Sequence, residues 1–173
     1  APEFQKVIAK NLVGTLQEDK KRSPAEAGAE IVTLPLGDAR PEVAQVGWLT
    51  PAANRVPLNK EIVSPLLDAG KIYATGLYAH SPSRYVFDLG GKWTTLRGEA
   101  GLHTLHQPYA FGVVFIIEAD GKELFRSPEI RGAKMAPYKV DLTGVKKLEL
   151  IVDKAGERNG GNWALWLDPT LLR

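Results

Sequence analysis

The chain has 173 residues, 22 basic and 20 acidic side chains, a net charge of +2 and no cysteine. That length falls within one domain and allows about 70 % of the unfolded surface to be buried. The charge balance argues against a phosphate-tracking, nucleic-acid-binding surface, and the lack of cysteine removes disulfides and thiolate metal sites. No apolar run approaches the roughly 18 residues needed to span a bilayer.

The first residues, Ala1-Pro2-Glu3, carry no basic start and no apolar stretch, so no signal peptide is read there. Residues 4–16 read as a strand bending at Gly14, and residues 17–29 as a charged loop with a helical turn after Ser23-Pro24. The basic cluster Lys20-Lys21-Arg22 follows Glu18-Asp19 and reads as solvated loop. Residues 30–34 and 43–48 read as strands. Between Leu49 and Pro65, prolines at 51, 57 and 65 and the absence of a clean period predict a long surface connection. Residues 66–70 suggest a helical turn, and residues 72–78 a strand with Gly76 as a bulge or close-approach point.

The most informative stretch is 76–93, GLYAHSPSRYVFDLGGKW. Tyr85, Phe87 and Leu89 share one parity and Arg84, Val86 and Asp88 the other, the period of a strand buried on one face. The preceding His80-Ser81-Pro82-Ser83 predicts a turn, placing His80 where a strand meets a loop, the usual location of binding residues. Residues 93–100 alternate again, with Leu96, Gly98 and Ala100 inward and Arg97 and Glu99 outward. A loop at 102–109 leads into the apolar run 110–119, a central strand. Asp120-Gly121 then predicts a tight hairpin, because both turn positions need positive φ. Strands are expected at 122–127, 138–142, 146–153 and 162–168, separated by a loop at 128–137, a turn at Thr143-Gly144 and a glycine-rich loop at 156–161. About ten short strands with little helix predict an all-β sandwich.

These motifs also carry a family likeness. The segment 76–93, Gly98-Glu99-Ala100-Gly101-Leu102, the run 113–127, the run 140–156 and NWALWLDPTL at 162–171 resemble, in order, the NPCBM domain (novel putative carbohydrate-binding module), which is related to carbohydrate-binding module family 51. Val46-Gly47-Trp48 and Asn54-Arg55-Val56-Pro57 resemble the family's opening segment. The likeness covers residues 42–171, and residues 1–41 are expected to complete one sandwich spanning 1–173. It implies a jelly-roll-like sandwich of two antiparallel sheets. It further implies a non-catalytic module that recognises a terminal sugar, galactose-like in the better known relatives, and targets an attached or partner enzyme such as a glycoside hydrolase. The implied setting is secreted or periplasmic. The other reading of the same scaffold is a protein-interaction domain in an extracellular assembly.

Sugar recognition needs a flat aromatic face for the C–H side of the ring and rigid polar groups for the hydroxyls. Loop-proximal candidates of that kind are Trp48, Asn54, His80, Arg84, His103, His106 and Trp163. Each has a structural alternative: Trp163 lies on an alternating strand where tryptophan is commonly core, Arg84 can pair with a carboxylate on the outer face, and His80 can satisfy backbone groups across its turn. His103 and His106, with His80, raise a zinc reading, but residues three apart do not share a face of a strand and no cysteine or acid accompanies them. The resemblance suggests a structural calcium ion. Where relatives commonly have acidic residues, however, this chain has His103-Thr104 and Gly160-Gly161-Asn162, and calcium requires several hard oxygen ligands. No catalytic pair of carboxylates, nucleophile elbow, His-Glu-x-x-His or phosphate loop is present.

Overall fold

Tyr85 and Phe87 are 2 % exposed and Leu89 4 %, whereas Arg84 and Asp88 lie in water, as the predicted alternation requires, but Val86, on the parity of Arg84 and Asp88, is also buried. The structure is a computed structural model that describes residues 30–173, and the expectations for residues 4–29 fall outside it. Among the described residues the strands in order are β1 (Thr33–Pro35), β2 (Val43–Gln45), β3 (Ala52–Ala53), β4 (Val56–Pro57), β5 (Val63–Ser64), β6 (Leu66–Asp68), β7 (Lys71–Tyr73), β8 (Gly76–Tyr78), β9 (Ser83–Asp88), β10 (Thr95–Leu102), β11 (Val113–Ala119), β12 (Lys122–Arg126), β13 (Met135–Asp141), β14 (Lys147–Lys154) and β15 (Ala164–Leu172). Short 3-10 turns occupy Leu36–Asp38 and Gln107–Tyr109.

Two antiparallel sheets form the body. The first runs β13-β10-β15-β8-β3 with β1 also on β15, and the second runs β12-β11-β14-β9-β2. Their facing sides enclose one core that includes Tyr85, Phe87, Leu96, Phe115, Ile117, Leu150 and Trp166. Apolar residues at every second position of both sheets bury against each other, the arrangement of a β-sandwich. The hairpin between β11 and β12 turns at Asp120 and Gly121, with φ of 49° and 80°, as the sequence predicts.

The first sheet is also covered on its other side. Leu165, Leu167 and the preceding Trp163 face away from the main core and pack with Val56, Leu66 and Tyr78 in a second cluster. Residues 49–73 supply that cover. They contain the two-residue ladder β4-β5 and the hairpin β6-β7 rather than an unstructured connection. The helical turn expected at 66–70 is therefore a strand and its hairpin turn, with Ala69 and Gly70 at positive φ. Residues 72–78 divide into β7 and β8, because β7 pairs back on β6 while β8 joins β15.

Candidate functional site

Trp163 is the centre of a ring cluster at one end of the first sheet. It precedes β15 with the parity of Leu165 and Leu167, and is 7 % exposed. The His106 ring stacks on it at 3.9 Å between centroids and 7° between planes. His80 meets it edge-on at 5.8 Å and Tyr78 lies tilted at 5.6 Å. His103 lies 5.7 Å from His106. All three histidines of the chain therefore converge on one tryptophan. The turn after β10 makes this possible, since the N–H groups of His106 and Gln107 both donate to the His103 carbonyl. This tight turn, not strand geometry, places residues 103 and 106 side by side.

Asn162, fully buried, fastens the surrounding loops. Its Oδ1 accepts from the Gly112 N–H at 3.0 Å, and its Nδ2 donates to the Gly112 carbonyl and to Ser81 Oγ, each at 3.0 Å. Ser81 Oγ in turn bonds Asn159 Oδ1. One amide thus joins the loops carrying His80, Gly112 and Trp163, satisfying buried polar groups that would otherwise destabilise the rim.

Burial sets the charge state of the histidines. His103 is 0 % exposed and burial pushes its imidazole down to about 4. Its Nε2 lies 3.0 Å from Ser64 Oγ and 3.3 Å from the Pro65 carbonyl, and Ser64 Oγ itself donates to that carbonyl. The Nε2–H tautomer donates to both oxygens. His80 Nδ1 lies 2.8 Å from the Ser81 carbonyl and so carries its proton there, and burial lowers the pKa values of both His80 and His106. At neutral pH the cluster is uncharged.

This chemistry does not fit a metal ion. No grouping of His, Cys, Asp or Glu suited to a metal occurs among the described residues. Position 103 presents an N–H donor and the Asn162 oxygen is engaged by Gly112, so the hard carboxylate ligands calcium needs are missing at both suggested positions. Glu99 accepts from the Tyr73 hydroxyl at 3.1 Å, and Asp168 from Thr75 and Thr170.

The exposed part of the rim belongs to other residues. Trp48 is 57 % exposed, yet its backbone is fixed: the Gly47 N–H donates to the His80 carbonyl at 2.9 Å, and the Tyr78 hydroxyl donates to the Trp48 carbonyl at 2.7 Å. Across the ring cluster Tyr109 is 75 % exposed, its N–H bonded to the His106 carbonyl. Phe111 lies beyond it, under the Arg158 guanidinium at 5.3 Å. Beginning at Leu49, a groove of about 390 Å³ runs along the cover segment, lined by Pro51, Ala52, Arg55, Pro57, Lys60, Glu61 and Val63 among others.

Of the residues expected from sequence, the structure brings together His80, His103, His106 and Trp163, and pins Trp48 to the same end. Asn54 and Arg84 stand apart. Asn54, at φ 63°, clamps the cover segment to the sheet, donating to Gly37 O and Asp38 Oδ1 and accepting from the Gly76 N–H. Arg84 points outward from the second sheet and pairs with Glu149 at 3.0 Å. Asp68 is a feature the sequence reading missed: a fully buried carboxyl pushed up to about 6 by burial, with Oδ2 unpartnered. It packs against Gly101, where a side chain would collide with it. An aspartate closing the apolar run Leu66-Leu67 was its one sequence signal.

The NPCBM/NEW2 domain family matches residues 33–172. The chain belongs to this family. Among solved structures, the NPCBM chain is similar to the second CBM51 of Clostridium perfringens ZmpB, solved with GlcNAc and INT domains, at 19 % identity and TM-score 0.69, covering 82 % of this chain and 32 % of that one. It is similar to the CBM51 of C. perfringens GH95 in complex with methyl-galactose, at 16 % identity and TM-score 0.66, covering 81 % and 99 %. It also resembles the tandem CBM51 modules of the Streptococcus pneumoniae family 98 glycoside hydrolase Sp3GH98, at 20 % identity and TM-score 0.69, covering 83 % and 48 %. At these identities the likeness establishes the fold. No curated protein matches the sequence. The chain spans about a third of the ZmpB chain it matches, and no helix among the described residues is long and apolar enough to cross a membrane.

Proposed function

We propose that this NPCBM module binds a terminal, galactose-like sugar at the rim around Trp48, makes or breaks no bond, and holds an attached or partner enzyme close to a glycan outside the cytoplasm. The observation that carries this reading is an exposed indole on a backbone fixed from both sides by His80 and Tyr78. An aromatic side chain on a backbone held before the ligand arrives loses less conformational freedom on binding, and its face matches the C–H side of a pyranose. The imidazoles serve as support: the stack of His106 and the edge-on contact of His80 with Trp163 set the position of the loops that carry Trp48 and Tyr109.

Hydrolysis of a glycoside needs two carboxyl groups facing one another across the bond. The groove is lined by the single carboxylate Glu61, and Asp68 is fully enclosed. Relatives support the sugar reading, since methyl-galactose is bound in the GH95 module and GlcNAc in the ZmpB module. The secreted or periplasmic setting is part of the same proposal and rests on the family resemblance. One shallow site of this kind gives a Kd on the order of millimolar to micromolar.

A titration of the labelled protein with methyl-galactose, followed by amide and indole resonances, tests the site. Shifts are expected at the Trp48 indole, His80 and Tyr109. Shifts confined to the Arg84 face, or none at millimolar sugar, would overturn the proposal.

A further inference from the structure

The groove that starts at Leu49 differs in character from the ring cluster beside it. Its walls are apolar at Leu49, Pro51, Ala52, Pro57 and Val63, and two cations, Arg55 and Lys60, line it against one anion, Glu61. Among the described residues neither cation forms an ion pair, whereas Arg84, Arg126, Arg131 and Lys147 all do. The loops that carry the two cations are fixed in place. Arg55 follows Asn54, whose side chain is bonded to Gly37, Asp38 and Gly76. Lys60 sits in a turn closed by Asn59 Oδ1, which accepts from the N–H groups of Glu61 and Ile62 at 2.8 and 2.7 Å, and by the Leu58 N–H donating to the Ile62 carbonyl. A volume of about 390 Å³ lies within the range of small-ligand sites. Leu49 and Ala52 also pack on the cluster that contains Tyr78 and Trp163, so the groove continues from the Trp48 rim.

We infer that the groove is a subsite for an anionic substituent of the glycan, a carboxylate or a sulfate ester on the sugar held at Trp48 or on its neighbour. This rests on the sugar reading above. Arg55 supplies a planar fork of donors suited to an oxyanion and Lys60 a second positive charge, while the apolar walls accept the ring that carries the anion. Because both cations are solvent-exposed, the attraction weakens with salt.

Calorimetric titration of the full chain with galactose, galacturonic acid and galactose 6-sulfate at low salt, repeated at high salt, tests the inference. One or both acidic sugars are expected to bind about tenfold more tightly than galactose, with the carboxylate and sulfate arms identifying the source of the charge. In the Arg55→Gln, Lys60→Gln double variant that preference is expected to disappear while galactose affinity and thermal midpoint remain. Equal binding of neutral and acidic sugars by the parent, or a preference that survives in the variant, overturns the subsite and leaves the sugar reading standing. Failure of all three sugars to bind overturns both.

Discussion

The two faces of the first sheet bury comparable apolar residues but to different ends. The inner face, with Leu96, Ala100 and Trp166, meets the second sheet in a core of aliphatic and aromatic side chains that encloses the Tyr138 hydroxyl and the Trp166 Nε1 but no carboxyl or imidazole. The outer face, with Trp163, Leu165 and Leu167, is covered by short ladders, and buried polar side chains surround it: Ser64, Asp68, His80 and His103. The first arrangement fixes the sandwich. The second carries enclosed titratable groups, stacked rings and fixed loops, which positions a rim and leaves its stability dependent on pH.

The largest expected contrast comes from the two tryptophans. Trp166 is fully buried between Phe115 and Tyr138, edge-on to both. Trp166→Ala is expected to cost about 3–5 kcal/mol and to lower the stability of the whole sandwich, read by chemical unfolding. Trp163→Leu removes the stack with His106 but keeps apolar volume, and is expected to cost about 2 kcal/mol while weakening sugar binding. Equal losses of stability, with sugar binding intact in the Trp163 variant, would erase the distinction between the two faces.

Asp68 gives the next largest effect. Its folded pKa is raised from 3.8 to about 6 by burial, so its contribution to stability is fully present below 3.8 and is lost as pH rises through 6. Asp68→Asn is expected to stabilise the protein at pH 7 by on the order of 2 kcal/mol and to leave it little changed near pH 4. The histidines act in the opposite sense. His103 falls from 6.5 to about 4 in the folded state, so its contribution is present above 6.5 and is lost as pH drops through 4, and His80 and His106, also lowered by burial, act in the same direction. Unfolding free energies measured from pH 4 to 8 on the parent and Asp68→Asn separate the two: the variant is expected to keep the acid-side loss and drop the alkaline-side one.

The smallest expected effect is none. With neutral side chains bonded at residues 103 and 162, treatment with a chelator is expected to leave the thermal midpoint unchanged. A fall of several degrees, restored by calcium, would show that carboxylates elsewhere hold an ion.

The sandwich was legible in the sequence where a strand has enough residues to show a period. Tyr85, Phe87 and Leu89 declare their face, Leu96 and Ala100 theirs, and Asp120-Gly121 its turn. The cover over the outer face was not legible, because ladders of two residues such as β4 and β5 have no period and their prolines read as loop. Five of the candidate residues, Trp48, His80, His103, His106 and Trp163, were singled out because they lie near strand ends and turns, but what each contacts depends on register and tertiary packing. Arg84 meets Glu149 only through the pairing of β9 with β14, and Asn54 meets Gly76 only through the pairing of β3 with β8. His103 and His106 looked mismatched as strand residues, and Thr104 and Leu105 form the turn that brings them side by side.

The most direct single measurement is calorimetric titration of methyl-galactose into the parent protein and Trp48→Ala, with the thermal midpoint of each recorded. Loss of the exposed indole is expected to weaken binding about tenfold or more with no change in midpoint. Saturable binding of equal strength in both proteins would contradict a sugar platform at Trp48.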